Sequence, residues 1–417
     1  MAADQAQADI AFPFEAPSLF EPPPQFARLR ENCPVTGVRL PSGDTAWLVT
    51  GYAQVRQVLA DPRFSRAAAA APGAPRLGPA APERSAITTM DPPDHTRLRR
   101  LIAPAFSARR IGALQPHVER LVAGVLDAMA AAGPPYDLVE GLARPLPVKV
   151  ICKLLGVPQA DRTVFERWVE AALSVTPGNR AKVEQARAEL RSYFRELVAR
   201  KRAESASDDV LAYLINAHDE DDRLSEDELL ALASTLLTAG CQTVTTALAN
   251  GAAILLRHPG QVALIRRRPQ LLPAAIDEVL RYTPGPVSGG TIRVAVQTVE
   301  LGGVTISPGE AVIPSTTSAN RDASVFPQAD TFDVTRPGNP HVAFGPGIHH
   351  CLGRGLAQME LVTAFGGLIE RFPGLRIAVP EEELRWSSGG ILRALTALPV
   401  AWGEIDDRGD DKHADAK

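Results

Sequence analysis

No charge interrupts residues 229–256, and Ser225 stands just ahead of this run with Glu228 three residues later. That Ser–Glu spacing is a capping box and marks a helix start. The run is long enough to span a bilayer. Ser234, Thr235, Thr238, Gln242, Thr243, Thr245, Thr246 and Asn250 argue against lipid, where hydroxyls and amides at this density are costly. It therefore reads as a helix buried through the middle of a soluble protein, not inserted in a membrane. Midway stands Ala239-Gly240-Cys241-Gln242-Thr243. A mid-helix Gly costs about 1 kcal/mol relative to Ala. Either another helix packs closely at Gly240, or the bare Cα opens a groove in this face.

The rest of the chain is read around that helix. Aromatic residues are only 5% while Ala and Leu are abundant, which favours helices over strands. Helical patterns cover residues 52–60, 95–103, 115–132, 146–155, 160–173, 181–201, 208–217, 273–281 and 353–372. Strand patterns cover 45–50, 291–296, 299–301, 304–306, 311–315, 376–379 and 394–402. The first 30 residues, rich in Pro and Phe, read as a surface wrap, and 67–82, a run of Ala, Pro and Gly, as a loop. The fold class is mainly α with a small β-rich part. No linker or repeat divides the chain, so 1–402 reads as one domain. The charged tail 403–417 lacks large apolar residues and reads as disordered.

Net charge is −4, which argues against a general nucleic-acid binder. The four cysteines, Cys33, Cys152, Cys241 and Cys351, form no CxxC pair and no dense disulfide framework. The N-terminus lacks the basic–apolar–small pattern of a secretory signal. Together these point to the cytoplasm, with reduced thiols.

Residues 344–361 read FGPGIHHCLGRGLAQMEL. Gly345, Pro346 and Gly347 force a bare turn that lets backbone approach a flat group closely. Cys351 follows, just before a helix whose N–H groups favour a thiolate and lower its pKa. Gly353 and Gly355 allow that helix to pack tightly. A lone Cys in such a turn can equally be structural. A zinc site would need His341, His349, His350 and Cys351, and three adjacent residues cannot easily close one tetrahedral shell.

The whole pattern, FGxGxHxCLG, resembles the haem-binding loop of the cytochrome P-450 family, matching at Phe344, Gly345, Gly347, His349, Cys351, Leu352 and Gly353. Three further segments match in order. MDPPDHTRLRR resembles the propionate-binding helix, Ala239–Thr243 the AGx(D/E)T motif, and Glu278-Val279-Leu280-Arg281 the ExxR. Gln242 departs from the family, since it stands where an acid is usual and cannot ionise.

The resemblance implies a cytochrome P-450 fold, with haem b held between the central helix and the Cys loop. Cys351 would ligate the iron, Phe344 would pack near the sulfur, and Gly345 and Gly353 would line the cofactor. His95, Arg99, Arg293 and His349 would meet its propionates. Ala239, Gly240, Gln242 and Thr243 would serve oxygen binding and proton delivery. Glu278, Arg281 and Arg336 would form a structural ion-pair network. Arg97, Arg100, Arg109 and Arg110 would steer an acidic electron donor, a ferredoxin with its ferredoxin reductase. Ile87, Thr88, Leu237, Val244, Val287, Thr291, Ile391 and Leu392 would line a pocket for a bulky, largely apolar molecule. The implied activity is a monomeric monooxygenase inserting one atom of O2 into a C–H or C=C bond, in secondary-metabolite biosynthesis. Gln242 leaves open non-insertion chemistry (coupling, desaturation or isomerisation), and a haem-based binder or sensor is the non-enzymatic alternative.

Overall fold

The computed structural model describes residues 10–176, 178–203, 208–219, 223–285, 290–387 and 392–403. Its axis is the helix Glu226–Leu256, and both arms of the capping box form. The Glu228 amide donates to Ser225 Oγ at 3.2 Å, and the Ser225 amide donates to the Glu228 carboxylate at 2.9 Å.

Four hydroxyls of this helix are satisfied within it, and Asn250 is satisfied by the chain near the C-terminus. Ser234, Thr238, Thr243 and Thr246 each donate to the carbonyl four residues back, at 2.7–2.9 Å. Asn250 donates to the Arg393 carbonyl at 2.7 Å and accepts from the Leu395 amide at 3.1 Å. Hydroxyls bonded to their own helix can be buried at little cost. By length and composition this helix could cross a membrane. Here the helices Pro145–Leu155, Arg162–Ala172, Arg180–Ala203, Leu272–Tyr282 and Arg354–Arg371 pack around it.

Ten strands lie among the described residues: β1 (Val35–Arg39), β2 (Thr45–Val49), β3 (Phe64–Ser65), β4 (Tyr136–Asp137), β5 (Arg293–Ala295), β6 (Val299–Leu301), β7 (Val304–Ile306), β8 (Ala311–Pro314), β9 (Arg376–Ile377) and β10 (Pro399–Ala401). The largest sheet has the order β1-β2-β8-β5-β3, with β2 and β8 parallel. Its β5–β3 edge matters most for the site. Ser65 pairs with Val294, so Arg66 and Arg293, far apart in sequence, become neighbours.

Several elements differ from the sequence reading. The helix expected at 115–132 begins at Ala108, with Pro116 inside it. Ile111 and Leu114 pack against the main core and offset the lost N–H bond. Residues 10–30 do more than wrap the surface. Phe12, Phe14 and Phe26 are buried with Leu48 and Ile313 on one face of the large sheet. Sheet burial also recruits β1, which Pro34 and Gly37 had hidden. The loop read at 67–82 starts with a helical turn, Arg66–Ala69, capped by Ser65. The strand read at 394–402 shrinks to β10. Of the tail 403–417, residues 404–417 lie outside the described residues.

Candidate active site

The Cys loop is closed by its own backbone. The Cys351 amide donates to the Phe344 carbonyl at 2.9 Å, and the Gly345 amide to the Val342 carbonyl at 3.0 Å. Gly345 has φ +65° and Gly347 φ +89°, where glycine is favoured. At Gly347 a Cβ would also stand 2.4 Å from the Leu59 carbonyl oxygen. At Gly353 a Cβ would stand in open space, on the wall of a cavity.

That cavity, of about 290 Å³, lies between the Cys loop and the central helix. Cys351, Leu352 and Gly353 line one side; Ala239, Gly240, Thr243 and Val244 line the other. His95, Arg99, Arg293 and His349 cluster along its wall, joined by Arg66 and His350. His95 and Arg99 are four residues apart on the helix Asp94–Ile102, so they share one face. Arg99 Nη2 donates to the His350 carbonyl at 2.6 Å, tying that helix to the Cys loop. The His95 and His349 rings lie 4.4 Å apart.

The electrostatics of this wall are unusual. Burial and the nearby Arg66 guanidinium push Arg293 down to about 9. Burial pushes Arg66 down to about 10 against the pull of Asp91. Burial and the surrounding cations push His349 down to about 3. Arg293 Nη1 and His349 Nε2 are buried without a hydrogen-bond partner. Buried polar atoms are rarely left so, and each such lapse costs about 1–3 kcal/mol. Among the described lining residues the one acid is Glu360, which burial raises to about 8 and so keeps neutral. The wall thus fits a bound molecule that brings its own carboxylates beside an apolar body.

Cys351 itself departs from expectation. Burial pushes its thiol up, outweighing the Gly353 amide and the Arg99 and Arg354 charges that pull it down. Desolvation here works against the thiolate, and a bound metal cation would favour it.

The sequence-derived contacts separate into three groups. Ile87, Thr88, Val244 and Thr291 line the cavity. Leu237 does not; it is fully buried in the core on another side of the central helix. Leu392 and Gln242 line a second cavity, with Arg144, Glu170 and Asn179. Thr243 and Gln242, adjacent on the central helix, thus line different cavities. Val287 and Ile391 lie outside the described residues.

Gly240 serves both readings in place. A Cβ there would come 2.9 Å from Ile151 Cδ1, and Gly240 and Ile151 both line the cavity. The bare Cα thus allows the helix Pro145–Leu155 to approach closely at the cavity wall. Phe344 and Gly345 support the loop from outside the cavity lining. The Phe344 ring faces Arg354, His341 and His350.

Arg66 and Glu360 were missed by sequence reasoning. Arg66 sits in an ordinary RFSRA context, and only the β5–β3 pairing brings it to Arg293. Glu360 shows a faint signal, being an acid on the helix Arg354–Arg371 next to the buried Leu361. Its fully buried carboxyl makes a testable claim. The group's folded pKa is raised above its unfolded value, so its contribution is fully present below about pH 4.5 and is lost as pH rises through about 8. Glu360→Gln should therefore melt above the wild type near pH 9 and lose this part of the slope between about pH 5 and 8. Parallel melting curves of the two proteins across that range would count against the claim.

The chain matches the family model described as Cytochrome P450 over residues 163–380. It is 44% identical over 393 residues to nocardicin C N-oxygenase of Nocardia uniformis subsp. tsuyamanensis, covering 94% of this chain and 98% of that one. It is 44% identical over 378 residues to mycinamicin IV hydroxylase/epoxidase of Micromonospora griseorubida, covering 91% and 95%. It also matches the crystal structure of the LnmA cytochrome P450 hydroxylase from the leinamycin biosynthetic pathway of Streptomyces atroolivaceus. That match has TM-score 0.86 and 46% identity, and covers 94% of this chain and 100% of that one.

Proposed function

Because the chain belongs to the cytochrome P450 family, we propose that Cys351 is the thiolate ligand of a haem b iron and that His95, Arg99, Arg293 and His349 hold the propionates. It is a monooxygenase that binds a small-molecule substrate and takes electrons from redox partners. The observation that carries the site assignment is the wall itself, where two buried cationic or imidazole groups keep unpartnered atoms beside Cys351. Bound there, a haem iron with a thiolate ligand supplies activation of O2 and transfer of one oxygen atom to a C–H or C=C bond, the other leaving as water.

The protein's own residues then divide the remaining work. Arg99, Arg293 and Arg66 offer planar guanidinium donors suited to carboxylates. Thr243 lines the cavity, and its Oγ1 donates to the Ala239 carbonyl at 2.7 Å. That hydroxyl is placed to hand on a proton. Gln242 faces the neighbouring cavity, where its neutral amide can orient solvent but cannot ionise. Ile87, Thr88, Val244 and Thr291 give the substrate a mainly apolar enclosure.

We place the electron donor, a ferredoxin served by its reductase, against the outer face of the Cys loop. Ile348 is 41% exposed there. Arg100 and Arg109 are exposed on adjoining segments. Arg97 and Arg110 contribute less than the sequence suggested, since they pair with Glu228 and Asp208. We read 1–402 as one catalytic domain acting as a monomer in the cytoplasm. None of Cys33, Cys152, Cys241 and Cys351 is joined in a disulfide, which supports that compartment. Relatives named for nocardicin C and mycinamicin IV support a role in secondary-metabolite biosynthesis.

Turnover of a ligand hit under 18O2, with a ferredoxin system, tests this reading. The product should gain one labelled oxygen. A ligand that shifts the ferric spin state yet gives no product with O2 or peroxide would favour a sensor. Thr243→Ala should keep oxidising reductant while product per reductant falls by roughly ten-fold or more, as loss of a positioned proton donor predicts. Equal coupling in the variant would remove Thr243 from the proton path.

A further inference from the structure

A second space adjoins the Cys351 cavity and shares Arg66, Thr88, Thr235 and Thr291 with it. This vestibule, of about 380 Å³, lies between residues 76–89, the helix Arg180–Ala203 and the first half of the central helix. Its walls carry four arginines, Arg66, Arg76, Arg187 and Arg191, against one acid, Glu83.

The four arginines are not equally committed. The Arg66 guanidinium donates to the carbonyls of Thr88 and Ile292, while its backbone amide donates to Asp91. Arg191 pairs with Asp227 at 2.5 Å and Glu83 at 3.4 Å. Arg187 makes one hydrogen bond, from Nη1 to the Ala81 carbonyl at 2.7 Å, and burial lowers its pKa. Arg76 has no ion pair among the described residues. Two guanidinium groups therefore face the vestibule with most of their donors unspent. A partly desolvated cation of this kind is stabilised by an arriving counter-charge, and the planar fork selects a carboxylate.

We propose that the vestibule is an acid-recognition subsite in which Arg187 and Arg76 bind a carboxylate on the substrate, while its apolar body extends past Thr88 and Thr291 toward Cys351. This deepens the monooxygenase reading and rests on it. The substrate is then an amphiphilic acid: a rigid apolar skeleton with a carboxylate at the end remote from the oxidised carbon. Leu77, Ala86, Leu173, Val175, Leu190 and Ile292 supply apolar wall around the two cations.

The test uses the haem-loaded full chain and paired probes: dehydroabietic, dodecanoic and adamantaneacetic acids, each against its methyl ester. Affinities are read from the ferric spin-state change and from equilibrium dialysis. At least one acid should bind about ten-fold more tightly than its ester at low salt, the value of one charge-assisted hydrogen bond. High salt should shrink that preference. Arg76→Gln/Arg187→Gln should abolish it while leaving the reduced carbon-monoxide spectrum unchanged. The proposal is overturned if no acid outbinds its ester, or if the preference persists in the double variant. A wild-type spectrum without a thiolate signature would instead sink the haem-thiolate reading, so the two failures are distinguishable.

Discussion

Cys351→Ala is expected to lose the red-shifted Soret band of the reduced, carbon-monoxide-bound protein and to reduce monooxygenase turnover to background. The other cysteines cannot replace it. Cys33 is exposed at the C-terminal end of the helix Gln25–Asn32, Cys152 is buried in the helical core, and Cys241 lines the second cavity. His350 lines the Cys351 cavity and is the nearest alternative donor. A histidine-ligated or haem-free protein is therefore the expected product of the substitution, and either is spectroscopically distinct from a thiolate complex. The loop should survive the change, because the Cys351 amide, which bonds to the Phe344 carbonyl, is kept. Matched controls, Cys152→Ala and Cys241→Ala, should keep the band. A thiolate-type band retained in Cys351→Ala would show that the ligand lies elsewhere.

The same residues show how far the sequence could be read. A central helix was legible because its signals are local, a capping box followed by an unbroken apolar run. Cys351 was legible because seven positions of one short loop agree. What failed depends on which way a side chain points or on what another segment brings. Gln242 and Thr243 are adjacent, yet Thr243 lines the Cys351 cavity and Gln242 the second one, a division that neighbouring segments decide. Leu237 faces the core instead of the cavity. Arg66 could not be found locally, since its role arises from β3 pairing with β5. Gly240 had two physical readings, close packing or an open groove, and only the tertiary structure shows that it both meets Ile151 and lines the cavity. The rise in the Cys351 thiol pKa is also a tertiary effect, because a helix terminus is visible in sequence and desolvation is not.

Glu278→Gln should cost more stability than any other isosteric change in the buried ion-pair network. Glu278 is fully buried and accepts from five donor atoms on four residues. Arg281 meets it through two bonds of 2.7 Å, Arg336 through Nε at 3.1 and 3.2 Å, the Asp333 amide at 3.0 Å and Asn339 Nδ2 at 3.0 Å. Two of those four residues bring guanidinium charges. Removing the one anion leaves both cations buried against neutral partners, a loss of roughly 3–5 kcal/mol. Arg336→Gln should cost only about 1–2 kcal/mol, because Arg281 still neutralises the carboxylate. The damage should reach the active site by a traceable route. Arg281 Nη1 also holds the Asn320 carbonyl at 2.8 Å, and Asn320 Oδ1 accepts from the Val342 amide at 2.8 Å, at the entry to the Cys loop. Thermal melts and haem content measured together check this. Glu278→Gln should melt lowest and purify with the least haem, with Arg336→Gln between it and the wild type. Equal melting temperatures for the two variants would mean that the network's charge balance does not set the stability of the loop that carries Cys351.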